Sequence, residues 1–173
     1  MRPTLGIMIT ATTYGSWLRG DRRGWIDDGR LMPPCPGLEA TDRRRMLHTP
    51  FLFSPDQLHD VGGFIGHELS TRLATPIFAL HVGTWHVHLA VSGQPADVPA
   101  VVKCAKDAVR YGLRPGRPIW TDGCDKRYCF DESSLRSRIR YVERHNEALG
   151  WDPRPWAFIT GYERQMQGLA PGH

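Results

Sequence analysis

The feature that most limits how this chain can fold lies at residues 76–91. PIFALHV and TWHVHLAV are two apolar, β-rich runs separated only by Gly83, the pattern of an antiparallel hairpin. Successive side chains in a strand alternate faces, so His86 and His88 point one way and Trp85, Val87, Leu89 and Val91 the other. One side of the hairpin therefore calls for a packed core. The other presents two imidazoles about 7 Å apart at Cα, leaning together closely enough to share a divalent cation. Two ligands hold a labile metal poorly, so a third donor has to come from elsewhere in the chain. Alone, the pattern also suits a solvated strand face. A histidine-triad hydrolase would need a third His where this chain has Ala90, and a two-fold H-x-T phosphoesterase needs a motif this strand lacks.

Around the hairpin, residues 5–12 (LGIMITAT) predict a first strand. Residues 15–50 break the regularity and read as an irregular excursion with a short helix near residues 38–47. Ser54-Pro55-Asp56-Gln57 is a helix start, followed at helical spacing by Leu58, Val61, Ile65, Leu69 and Leu73. Gly62 and Gly63 weaken that helix by roughly 1 kcal/mol each relative to Ala, so close packing is the expected reason for them. A second helix is expected over 97–111, extended segments within 117–130, and a last helix from Asp131 to Gly150. This order predicts an α+β fold, a ferredoxin-like antiparallel sheet with packed helices. Residues 1–150 form the expected domain, and 151–173, with Trp151, Trp156 and Phe158, a packed C-terminal tail.

The last helix, DESSLRSRIRYVERHNEALG, places Leu135, Ile139, Val142 and Leu149 in one apolar stripe. At about 100° per residue, Tyr141 and His145 share the flank of that stripe, while Arg136, Arg140 and Arg144 face outward. A helix edge docked over His86 and His88 would make His145 the third ligand and set Tyr141 beside the metal. Tyrosine is a poor nucleophile at its pKa of about 10. A metal that polarises a phosphate, with positive charge that favours phenolate, answers that difficulty. Without such docking, Tyr141 is an amphipathic boundary residue and His145 a surface one.

The chain of 173 residues has 22 basic residues and a net charge of +4, and only Lys103, Lys106 and Lys126 are lysines. Arginine grips phosphate bidentately and stacks on bases. Its clusters include Arg19, Arg22 and Arg23, then Arg43 to Arg45, then Arg136 to Arg144. Cys35, Cys104, Cys124 and Cys129 form no C-x-x-C pair and are expected to be free thiols. With no long apolar run and no signal-peptide pattern at its start, the chain is expected to be cytoplasmic and off the membrane.

Taken together, Ala11-Thr12-Thr13-Tyr14-Gly15-Ser16-Trp17, Gly20-Asp21, Arg23-Gly24-Trp25, Trp85-His86-Val87-His88-Leu89-Ala90-Val91, Ile119-Trp120, and Leu135, Ile139-Arg140-Tyr141-Val142 with Asn146 resemble the HUH endonuclease superfamily. The likeness is to its single-tyrosine insertion-sequence and REP-associated transposases, and it spans residues 5–150. It implies the HUH endonuclease fold, Mg²⁺ or Mn²⁺ on His86 and His88, and attack by Tyr141 on single-stranded or hairpin DNA to leave a 5′-phosphotyrosine. The family usually completes the site with Gln or Asn four positions after the tyrosine, where this chain has His145 followed by Asn146. It often has Asn before the first histidine, where this chain has Trp85. The resemblance further implies DNA contacts by Arg19, Arg22, Arg23, Trp17, Trp25, Arg140 and Arg144. It leaves open a monomer or a homodimer, and an active transposase or a domesticated, non-cleaving hairpin-binding protein of the same fold. A phosphoesterase of small nucleotides or RNA is the third reading.

Overall fold

In the computed structural model, which describes residues 3–163, the chain runs β1 (Gly6–Thr12), β2 (Trp25–Asp27), β3 (Arg30–Met32), α1 (Pro36–Arg45), α2 (Leu58–Arg72), β4 (Ile77–Val82), β5 (His86–Val91), α3 (Val98–Leu113), β6 (Asp125–Cys129) and α4 (Glu132–Ala148). The main sheet has the order β4-β5-β1-β6, with every neighbour antiparallel. Setting aside β2 and β3, that is the strand order and βαββαβ succession of a ferredoxin-like sheet, as the sequence predicts. Helices α2 and α3 cover one face, and α4 lies on the other.

The strand alternation decides what each face holds. Ile7 and Ile9 from β1 and Val87, Leu89 and Val91 from β5 join Val61, Ile65, Leu69, Val101 and Val109 in the larger core. On the opposite face Met8, Phe78, Ala90 and Cys129 pack under Leu135, Ile139 and Val142 of α4. Thr10 and Thr12 stand opposite His88 and His86 across the β1–β5 ladder, and His81 of β4 stands opposite His88 on its other side. The end of the sheet beyond the apolar part of α4 is thus polar and rich in imidazole.

Several elements differ in detail from the expectations. The excursion is not wholly irregular: β2 and β3 form a hairpin closed by Asp28 and Gly29, with φ of 46° and 74°. Two left-handed residues are what a type I′ turn needs, and Asp-Gly is its usual sequence. The short helix begins earlier, behind Pro36, and none of its residues is buried. Leu73 and Leu149 fall at helix C-caps and are 39% and 44% exposed, so neither belongs to its helix's apolar stripe. In α4 the buried position after Val142 on that stripe goes to Asn146 instead, fully buried. Among the described residues no helix is long and apolar enough to cross a membrane.

Of the expected tail, residues 164–173 lie outside the described residues; residues 151–163 carry Trp156 and Phe158 back across α2. Trp156 is buried, stacks on His59 with ring centroids 5.4 Å apart, and donates its indole N–H to the His59 carbonyl at 3.0 Å. A Cβ on Gly62 would penetrate the Trp156 ring, and one on Gly66 the Phe158 ring, whereas a Cβ on Gly63 would meet nothing. Close packing therefore explains Gly62 but not Gly63. Gly62→Ala should destabilise the protein by about 1–3 kcal/mol through overpacking. Gly63→Ala should be neutral or stabilise by up to about 1 kcal/mol. Urea unfolding of both variants checks the pair; equal effects would contradict this account of the α2 surface.

Candidate active site

The docking that the wheel of α4 requires is made. His86, His88 and His145 each offer a ring nitrogen, and these three atoms lie within 4.8 Å of one another. Ring centroids are 4.7 Å apart for His86 and His88, 4.9 Å for His88 and His145, and 6.1 Å for His86 and His145. The Tyr141 ring sits 4.5 Å from His145 and 5.4 Å from His88. Tyr141 is 44% exposed, so one side of the phenol faces the histidines and the other remains open to an incoming molecule.

Local bonds orient these rings. His145 Nδ1 lies 2.8 Å from the Tyr141 carbonyl oxygen. A carbonyl only accepts, so Nδ1 carries the proton and Nε2 keeps its lone pair for a metal. His88 Nδ1 lies 2.8 Å from Thr10 Oγ1, the threonine across the ladder. Such bonds to the far nitrogen are how ligating imidazoles are usually fixed. His86 departs from this pattern: its Nδ1 is buried and has no hydrogen-bond partner among the described residues.

Two neighbours escape the sequence reading. His81, 4% exposed, has its ring centroid 5.4 Å from His86, 6.2 Å from His88 and 5.1 Å from His145. The signal was available, because the hairpin around Gly83 places residue 81 directly across from residue 88. Trp85 belongs to the turn and does not join the apolar face of β5. Its ring lies 4.4 Å from His86, edge-on to Trp17 at 6.0 Å, with the Arg23 guanidinium 4.7 Å from its centroid. The Ala11–Trp17 motif fastens this turn, since Thr13 N and Thr13 Oγ1 both donate to the Trp85 carbonyl, at 2.8 and 3.2 Å.

The arginines divide into engaged and open groups. Arg23 makes a two-pronged bond to Asp21 and reaches the Ser16 carbonyl. Arg19 is paired with Asp42, and Arg140 with Glu147 and Glu143. Arg22 and Arg144 are exposed and have no ion pair among the described residues. Trp17, Trp25 and Arg19 line a cleft of about 400 Å³ that also takes in Thr10, Thr12 and Asp125. Since Thr10 bonds His88, the cleft opens beside the imidazole cluster. Both indole N–H groups are bound to main-chain carbonyls of the excursion, Trp17 to Gly24 and Trp25 to Pro33.

The donor set fits a divalent metal: three imidazoles converge, and two of them have the far nitrogen already held by a hydrogen bond. Burial, above all, pushes the histidines down from 6.5, His81 and His86 to about 4 and His88 to about 3; the Asn146 bond opposes the shift at His81, while neighbouring histidines, and Arg23 at His86, add to it. Burial thus holds His86 and His88 neutral at pH 7, the form in which an imidazole ligates a metal. Unfolding returns each to its ordinary value. Below pH 6.5 the unfolded chain therefore binds protons that the folded chain refuses, and stability should fall as pH drops from about 6.5 through about 4 while remaining intact above. Urea unfolding in EDTA between about pH 7.5 and about pH 4.5 measures this. A His88→Gln variant should show a shallower slope, and a flat wild-type profile would contradict the burial argument.

The chain matches no protein-family model and no curated protein. It does match a solved structure of a REP-associated tyrosine transposase bound to a REP hairpin, at 15% identity and a TM-score of 0.50. The match covers 98% of this chain and 84% of that one. A likeness at that identity is one of architecture: the chain shares with that structure an α+β fold, a four-stranded antiparallel sheet covered by helices.

Proposed function

We propose that the protein is a single-tyrosine HUH transposase or endonuclease that cuts single-stranded DNA, with a hairpin as its recognition element. The observation that carries this reading is the placement of the Tyr141 ring 5.4 Å from His88 and 4.5 Å from His145, half-exposed, in the same chain. His86, His88 and His145 would hold Mg²⁺ or Mn²⁺, through lone pairs that burial keeps unprotonated in the first two. Such an ion, when bound, polarises the scissile phosphate and offsets its growing charge. The phenolic oxygen of Tyr141 attacks phosphorus, the bond to the 3′-oxygen breaks, and the phenol proton ends on that oxygen. The products are a 5′-phosphotyrosine and a free 3′-hydroxyl. The new ester conserves the phosphodiester energy, so a second 3′-hydroxyl can reverse the step and join strands without ATP.

Binding follows from the surroundings of the site. Trp17 and Trp25, with indole N–H groups already committed, offer rigid ring surface for unstacked bases in the cleft next to Thr10. Arg22 and Arg144 are free to meet the backbone directly. Arg19, Arg23 and Arg140 would reach phosphate only by exchanging a carboxylate partner. Nucleophile and imidazoles meet within one chain, which is the arrangement a monomer would use for cleavage.

Tyr141→Phe should abolish protein-linked DNA on a denaturing gel after incubation with labelled hairpins and Mn²⁺, while hairpin affinity is retained. An adduct that survives in this variant would remove Tyr141 from the role. Wild-type protein that binds hairpins tightly but forms no adduct would indicate the non-cleaving member of the fold instead.

A further inference from the structure

Among the described residues one buried nitrogen in the site has no partner, and one neighbouring imidazole has a nitrogen with nothing assigned to it. Asn146 settles the second point. Its Nδ2 donates to the carbonyls of Leu80, at 2.9 Å, and Pro153, at 3.0 Å, so both amide protons are used. Its Oδ1, 2.9 Å from His81 Nδ1, must therefore accept from that atom. His81 is thus held as the Nδ1–H tautomer, and its Nε2 is a bare lone pair. His86, in turn, has Nδ1 buried and unbonded. When His86 gives Nε2 to a metal, Nδ1 must carry a proton, and a buried N–H without an acceptor is costly.

The two nitrogens face one small gap. A Cβ on Gly83 would stand 3.1 Å from His86 Nδ1 and 3.3 Å from His81 Nε2, so both atoms border the space that glycine leaves. The ring centroids are 5.4 Å apart. Two imidazoles joined by one N–H···N bond of about 2.9 Å have centroids roughly 5 Å apart, close to the separation of these two rings.

We propose that His81 is a positioning residue for the metal site, its Nε2 accepting a hydrogen bond from His86 Nδ1–H when His86 ligates through Nε2. The result is a relay in which Asn146 fixes His81, His81 fixes His86, and Gly83 keeps the gap between them open. It completes for His86 what Thr10 does for His88 and the Tyr141 carbonyl for His145. Partners in this outer layer are commonly worth 10–100-fold in metal affinity.

The inference rests on the proposed metal role of His86, and two isosteres separate it from a merely structural role for His81. Asn at position 81 can still donate to Asn146 Oδ1 but has no atom near the old Nε2. Gln extends an amide to the Nε2 position and gives up the Asn146 bond. His81→Asn should fold with a circular-dichroism spectrum like wild type yet bind Mn²⁺, followed by electron paramagnetic resonance, about 10–100-fold more weakly. His81→Gln should retain most of the affinity. Wild-type affinity in His81→Asn, or His81→Gln as defective as His81→Asn, would overturn the relay. Long-range ¹H–¹⁵N spectra of the Mg²⁺-loaded wild type need no variant: they should show His81 protonated at Nδ1 and His86 at Nδ1, and a proton on His81 Nε2 would equally overturn it. Wild type that binds neither ion would instead sink the metal reading on which this one stands.

Discussion

The site depends on how α4 sits on the open face of the sheet, and a polar residue decides that more than the apolar stripe does. Leu135, Ile139 and Val142 bury α4 against Met8, Phe78 and Ala90, but hydrophobic burial is non-directional and would tolerate small slides and rotations. Asn146 tolerates neither. It is fully buried, and its three hydrogen bonds reach β4 at two points and the chain after α4 at a third. A shift of the helix would break bonds whose buried groups each cost about 1–3 kcal/mol when left unpaired. With Asn146 fixed, the preceding residue His145 must overhang β5, and Tyr141, one turn earlier on the same edge, must lie beside it.

That fixed helix then meets a sheet edge prepared to receive it. The row His81, His88, Thr10 crosses three neighbouring strands at matched register, so one cross-strand line provides a ligand candidate with a polar group on either side. Burial removes water from these rings and holds His86 and His88 unprotonated. Orientation is handled separately, by hydrogen bonds to the far nitrogens of His88 and His145. The anchor of His145 is the main-chain carbonyl of Tyr141 itself, so the nucleophile candidate and the third ligand candidate move as one body. A site of this kind is preorganised by the backbone, which limits the reorganisation left for the moment of binding.

Much of this was legible in the sequence because it rests on periodicity. Alternation at Trp85–Val91, broken at Gly83, fixes a hairpin and puts His86 and His88 on one face. A 3.6-residue period in the last helix fixes the edge shared by Tyr141 and His145. Boundaries were less legible where the last apolar residue falls just beyond the last helical turn: Leu73 and Leu149 keep the spacing but sit on caps. The β2–β3 hairpin carried its own signal in Asp28-Gly29, obscured by flanking strands of only three residues each. Gly62 and Gly63 looked alike because nothing local distinguishes them; only the return of Trp156 across α2 does.

The parts that were not legible depend on which residue meets which across long stretches of chain. Asn146 reads as one more polar position near a helix end until the fold delivers His81 and the Pro153 carbonyl to it. Trp85, by alternation, belongs with the core, yet the turn bends it back so that Arg23 and Trp17 enclose it and it leans on His86. The arginines show the same limit for charge. A cluster such as Arg19, Arg22 and Arg23 reads as three equivalent grips on phosphate, but Asp42 and Asp21 hold the first and third in two-pronged bonds. Arginine held this way is largely neutralised at short range and acts as architecture. The positive field available to a polyanion near this site therefore comes from the fewer groups, Arg22 and Arg144 among them, that no nearby carboxylate among the described residues has claimed.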